Sequence, residues 1–312
     1  MRLVVAELGK LVRPLSFGVA GAAAVFCVLL AAGGAHNAEI NAQGASGRVP
    51  TCAALQAPGP SCARAQAVAR ARLRQIGAGP SQVAGQLTPA AAGAEAAGLL
   101  ASLPGALAMA LLAGAHVGGE WSGRTMKSLL TQHGRRWQVL AAKLASLWLA
   151  GVGLMAACWA ALAVAGPVLT RLNHLPDPRQ TAGQGLGLAG SQAARALLVL
   201  AAFAVIGLLA AVITRGTIGT TATMAGVVIA MLAVASLPAA GRWTPATWVQ
   251  GWMGFPAGLA SITALPTNFW SRFIGAGGAP PTHLYGLTGL AALIIAGFAV
   301  AEGIFRRADI GG

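Results

Sequence analysis

The chain has 312 residues, of which 56% are hydrophobic and only 9% charged, a balance that excludes an ordinary soluble domain. Its formal charge of +14 would fit a nucleic-acid partner only if the basic residues formed one aromatic-studded face. They cluster instead beside apolar runs, so the charge reads as topogenic and nucleic acid is excluded as a partner.

Six apolar runs of about 20 residues are each long enough to cross a hydrocarbon layer of about 30 Å. They lie at 16–35, 97–118, 139–166, 194–214, 218–240 and 284–304. A backbone in lipid must satisfy its own hydrogen bonds, and these runs lack the alternation of a barrel strand. The predicted fold is therefore all-α: an integral, multi-pass membrane protein with six transmembrane helices. Abundant Ala, Gly, Pro and Arg match a GC-rich bacterial composition, and the expected location is a bacterial plasma membrane.

Residues 1–15 open the chain as an amphipathic helix. Leu3, Val4, Leu8, Leu11, Val12 and Leu15 recur at helical spacing, with Arg2, Glu7, Lys10 and Arg13 largely on the other side, which predicts a cytoplasmic interfacial helix. Pro14 marks the turn into the first span, 16–35. That run is too long for the apolar core of a cleavable signal, so the span is retained. Small residues such as Gly18, Gly21 and Ala22, and later Gly151 and Gly153, permit close helix packing.

The first external loop, 36–96, carries CAALQAPGPSC between Cys52 and Cys62. These cysteines either close a short Pro/Gly-containing disulfide ring or stand as two thiols, and an oxidising exterior favours the ring. Further on, ARAQAVARARLRQIG has the pattern of a short basic helix. Cys27 and Cys158, inside spans, read as small apolar side chains.

The second span, 97–118, leads into a cationic connection, 119–138, and then the third span, 139–166. Beyond come an external loop, 167–193, and the spans 194–214 and 218–240. An external region, 241–283, carries Trp243, Trp248, Trp252, Phe255 and Trp270. Tryptophan prefers the headgroup layer, so this region is expected to re-enter or lie on the outer leaflet, as an aromatic belt or as an outer gate and interface. The last span, 284–304, precedes a tail, 305–312.

With both termini inside, the basic residues near inner span ends are Arg2, Lys10, Arg13, Arg124, Lys127, Arg135, Arg136, Lys143, Arg215, Arg306 and Arg307. Those near outer ends are Arg48, Arg171, Arg179, Arg195, Arg242 and Arg272. The inner set is the larger, which predicts an N-in, C-in topology.

Catalytic chemistry is missing from the pattern. The spans lack the partnered acids or nucleophiles of a relay or hydrolase; His116 and Glu302 lie near inner ends and Glu95 near an outer one. No cysteine and histidine set has metal-ligand spacing. Lys127-Ser128 is preceded by Met126, with Gly123 at the wrong spacing for a phosphate loop. The chain is thus expected to hold no cofactor and to be no enzyme; nucleotide energy would come from another chain.

In the connection 119–138, Met126, Leu129, Leu130, His133 and Trp137 follow helical spacing, while Arg124, Lys127, Thr131, Gln132, Arg135 and Arg136 fill the remaining surface. Ser122 can cap its start, Glu120 complements the positive end, and Gly134 can close it. A cytoplasmic amphipathic helix follows, either a plain interfacial anchor or a docking element for a soluble partner.

The segment AHVGGEWSGRTMKSLLTQHGRRWQVLAAKL, 115–144, resembles the stretch after the second span of ABC-2 type transporter permeases. Glu120, Thr125, Leu129, Leu130, Thr131, Arg135, Arg136, Ala142 and Lys143 match in order, with Arg124 in place of the family's glycine. AELGKL resembles the N-terminal interfacial helix of these permeases through Glu7 and Lys10, and FRRADI resembles their ending. The resemblance implies a dimer of permeases, a second copy or a homologue, on which separate ABC ATPase subunits with bound ATP and Mg dock to drive export. It implies that Glu120, Arg124, Thr125, Met126, Lys127, Leu129, Leu130, Arg135 and Arg136 belong to the helix that engages the ATPase. The apolar walls favour an amphipathic cargo. The other reading is a membrane assembly, immunity or ligand-binding protein that uses loop 36–96.

Overall fold

The computed structural model describes residues 2–11, 14–45, 62–63, 66, 80–81, 83–123, 125–126, 136–177, 181–235, 243–254 and 282–307. These residues are mostly helical, with no strand among them. In order they form α1 (Arg2–Leu11), α2 (Pro14–Ala45), α3 (Ala92–Leu100), α4 (Leu103–Ala113), a π-helical turn (Gly114–Gly118) and α5 (Gly119–Ser122). Then come α6 (Arg136–Leu172), α7 (Ala182–Thr214), α8 (Thr217–Ala235), α9 (Pro245–Met253) and α10 (His283–Arg307).

Four helices are long and apolar enough to cross a membrane: α2, α6, α7 and α10. The chain is accordingly a multi-pass membrane protein. With 37 residues, α6 reaches roughly 55 Å, well beyond a hydrocarbon layer. The helices therefore overrun the expected spans. In place of the loop 167–193, α6 runs to Leu172 and α7 begins at Ala182. Thr181 caps α7 by accepting from the Gln184 amide while the Gln184 side chain accepts from the Thr181 amide.

The second expected span differs more. Residues 97–118 do not form one helix: α3 stops at Leu100, and the axis bends by 63° before continuing from Pro104. Proline lacks an N–H and its ring crowds the carbonyl four residues back, so Pro104 cannot extend α3 and sits instead in the first turn of α4, where the missing N–H is not needed. The break opens at Ser102, which is extended and donates its hydroxyl to Leu99 O at 2.5 Å. Where the fifth span is expected, 218–240, the structure has α8, an apolar helix of 19 residues that is not among the four of span length; 236–240 lie outside the described residues.

The core is built from small and aliphatic residues. α6 packs along α2, α7 packs against α3 and α10, and α8 packs against α4 and the π-turn. Leu99, Leu100, Met109, Leu112, Leu147, Leu154, Leu200 and Leu208 are buried among them. Glycine sets the closest approaches. A Cβ on Gly118 would stand 2.8 Å from Gly216 O and 2.9 Å from Thr220 Oγ1. The Gly114/Gly118 face thus lets α8 lie directly on the π-turn.

Candidate functional site: a buried charge ring

At one end of the bundle, α1, the π-turn, α5 and the first turns of α6 converge on a closed ring of alternating charge. Glu7 Oε1 accepts from Lys10 Nζ at 2.7 Å, and Glu7 Oε2 accepts from Lys143 Nζ at 2.9 Å. Lys143 Nζ also donates to Glu120 Oε2 at 2.5 Å, and Lys10 closes the ring on Glu120 Oε1 at 2.8 Å. Each carboxylate bridges both ammonium groups, one with each oxygen. The four formal charges cancel.

Burial makes this ring more than a surface decoration. Lys143 is fully buried, Glu7 is 1% exposed and Glu120 7% exposed. Isolated charges in such a position would cost several kcal/mol each, so they persist only with full mutual pairing. Burial pushes the Glu7 carboxyl upward, but the His116 hydrogen bond, the Lys143 charge and the Lys10 hydrogen bond hold it well below the usual carboxylate range. For Lys10, burial acts downward, yet hydrogen bonds to Glu120 and Glu7 raise the ammonium above its usual range.

His116 joins the ring from inside the π-turn. Its Nε2 lies 3.3 Å from Glu7 Oε2 and 3.1 Å from Ser146 Oγ. The Ser146 hydroxyl is already donated to Lys143 O at 2.9 Å, and an ionised carboxylate only accepts. Nε2 therefore carries a proton and donates to both. His116 and Glu120 stand four residues apart, about one helical turn, so both face the same ring.

A second layer locks the ring from outside. Trp121 packs edge-on to Phe305 of α10, with ring centroids 6.1 Å apart. The Arg215 guanidinium lies 5.4 Å from the centroid of the Trp121 ring. Arg215 holds a left-handed backbone, φ 52, at the end of α7, where glycine is usual. That conformation costs about 1 kcal/mol, and a cation–π contact returns about the same. Arg136 Nη1 donates to Arg306 O at 2.9 Å, tying the start of α6 to the end of α10.

The predicted apolar side of the N-terminal helix is the one that meets the protein: Leu11 is buried, Val4 and Leu8 are half-buried, and Glu7, one turn before Leu11, is buried with them. Val5, outside that stripe, is 64% exposed.

Of the residues assigned to ATPase engagement, Glu120, Thr125, Met126 and Arg136 are described; Arg124, Lys127, Leu129, Leu130 and Arg135 lie outside the described residues. Glu120 is committed to two internal lysines, and Met126 is buried in the core. The Ser122 hydroxyl donates to Gly118 O at 3.2 Å, at the end of α5, and most of the helix it was expected to cap lies outside the described residues. His116 and Ser146 were not singled out as site residues from sequence; their signal is the i,i+3 spacing of Ser146 from Lys143 and the glycines flanking His116.

At the opposite end, Trp248 and Trp252 of α9 brace α7 and α10. Trp252 Nε1 donates to Arg195 O at 2.9 Å, Arg195 Nη1 donates to Met253 O at 3.3 Å, and Trp248 lies over Gly289. Trp243 packs against Tyr285, centroids 6.4 Å apart. Phe255 and Trp270 lie outside the described residues, as does Cys52; Cys62 is buried. Cys27 and Cys158 face each other, 3.5 Å apart, as free thiols. Among the described residues, no three His, Cys, Asp or Glu side chains come together as a metal site.

No family model, curated protein or solved structure matches this chain.

Proposed function

We propose that the chain is the membrane-spanning permease subunit of an ABC-2 type exporter, driven by separate ATPase subunits with bound ATP and Mg. The observation that carries this reading is the charge ring. It joins the N-terminal interfacial helix, the start of the connection 119–138 and the start of α6 through Glu7, Lys10, Glu120 and Lys143. Those four residues are also ones through which the sequence resembles the family.

In this reading the ring end is cytoplasmic, both termini are inside, and six spans arise from α2, the broken α3–α4 pair, α6, α7, α8 and α10. A second permease copy or homologue completes the path in a bacterial plasma membrane, for an amphipathic cargo. The ATPase engages the connection around Arg124, Lys127, Leu129, Leu130 and Arg135, and Glu120 passes the displacement inward instead of touching the ATPase. A push on the connection then moves α1 and α6 as one body and biases the bundle between two arrangements.

Purification from native membranes in a mild detergent tests the proposal. An ATP-hydrolysing subunit should co-purify and be lost when Arg124 and Lys127 are reversed to Glu. Recovery of the chain with no nucleotide-binding partner, under conditions that preserve other membrane complexes, would overturn it.

A further inference from the structure

Glu95 lies in the first turn of α3, between the bundle's outer brace and the break at Ser102. It is 4% exposed, and no described residue pairs with it by hydrogen bond or ion pair. Every element packed on α3 is poor in charge near it. On α7 the charged side chain is Arg195, whose guanidinium turns to Met253 O. On α6, Arg136, Lys143 and Arg171 sit towards the helix ends, while α3 meets the helix at Trp159; nearby Cys158 faces Cys27. α4 carries no titratable residue.

Small residues let α3 pack closely on its neighbours. Ala92, Gly93, Ala96, Ala97 and Gly98 are all buried, and a Cβ on Gly93 would stand 2.8 Å from the Trp159 ring and 3.0 Å from Ala189 Cβ. An acid in a first helical turn gains about 0.3–1 kcal/mol from the helix dipole. Burying an unpaired carboxylate costs several kcal/mol, so the dipole does not account for Glu95. A metal cation is no better an occupant, because hard cations need about six oxygen ligands and this site offers one carboxyl. The ligand that a lone buried carboxyl takes is a proton.

We propose that Glu95 is a proton-binding site whose occupancy is coupled to the packing of α3. Loading transfers a proton from hydronium to the carboxylate, forming a neutral acid and water. Release is the reverse, and the resulting anion needs water, which it reaches when α3 swings about the Ala101–Ser102 break. The site does not depend on the transport reading.

Two measurements on the full chain in native membrane vesicles test this. The first is labelling with dicyclohexylcarbodiimide, a lipid-soluble reagent that adds protonated carboxyls and leaves an N-acylurea located by peptide mass spectrometry. Glu95 should be modified at acid pH, with yield falling about tenfold per pH unit once the carboxyl has titrated. No modification at any pH, or a yield independent of pH, would overturn the proposal. The second is tryptophan emission, because Trp159 borders α3. Wild type should show a pH-dependent shift that Glu95→Gln, a neutral isostere that preserves packing, and Trp159→Phe each remove. A shift that survives Glu95→Gln would overturn it.

Discussion

The two ends of this bundle are fastened by opposite chemistry. At the ring end, three separate segments meet through four ionised side chains with long, rotatable stems, and each lysine already contacts both acids. At the brace end, rigid indoles donate to backbone carbonyls and lie against glycine, so the contacts are fixed in direction and cannot be exchanged for equivalent ones. An alternating ring tolerates relative sliding of its members because one carboxylate oxygen can substitute for another; an indole staple does not. The difference teaches where motion is expected: at the ring, about the brace.

The comparison breaks most directly at Lys143. Lys143→Met leaves Glu7 and Glu120 buried, each short of one donor, and should destabilise the protein by about 3–5 kcal/mol, read as a loss of thermal stability in detergent. Adding Glu120→Leu should recover part of that loss, since replacing both members of a pair by apolar groups is far milder than orphaning one. A double variant no better than the single would show that the ring's charges are not what joins the segments.

Gly118→Ala is the next largest. The new methyl meets Gly216 O and Thr220 Oγ1 and must push α8 off the π-turn, at about 1–3 kcal/mol. Hydrogen exchange should rise in the first turns of α8 while α9 remains protected. Trp252→Phe, at the other end, keeps the ring's bulk and loses its donor to Arg195 O, a cost of about 1 kcal/mol. Limited proteolysis should then find α9 more readily, with no change in α1.

Neutral pH should have the smallest effect. The Glu7 carboxyl is depressed, so its contribution is present above the usual carboxylate range and is lost only as pH falls through its lowered value. Lys10 is raised, so its contribution is complete below the usual lysine range and is lost as pH rises through its higher value. Docking of α1, followed by a fluorophore on a cysteine introduced at Val5, should be flat between these limits. A transition near neutrality would show that a group other than Glu7 or Lys10 controls the joint.

Much of this was legible in the sequence. Apolar runs marked α2, α6, α7 and α10 because a lipid-facing helix needs about 20 apolar residues whatever its neighbours. Glu7, Lys10, Glu120 and Lys143 stood out as charged residues at the edges of those runs. Their union did not, because Glu7 and Lys143 are far apart in the chain and periodicity speaks only to one helix at a time. The apolar stripe marked the side of α1 that meets protein, but not that Glu7 at its edge would be buried too, because a periodic pattern carries no sign of a distant partner. The break at Ser102 was hidden by composition, since SLPGALA is apolar enough to continue a span by hydropathy while its proline ends the helix.

The π-turn has a consequence for how this protein can change. A wide turn absorbs one surplus residue and brings the chain back into phase, so deletion of one residue within Gly114–Gly118 lets ordinary winding resume with the helices on either side keeping their facing. Insertion of a further residue has no such outlet and would turn one side by about 100° relative to the other. Many substitutions in the apolar neighbours would leave Glu120 aimed at Lys143, whereas the gain of a single codon would turn it away.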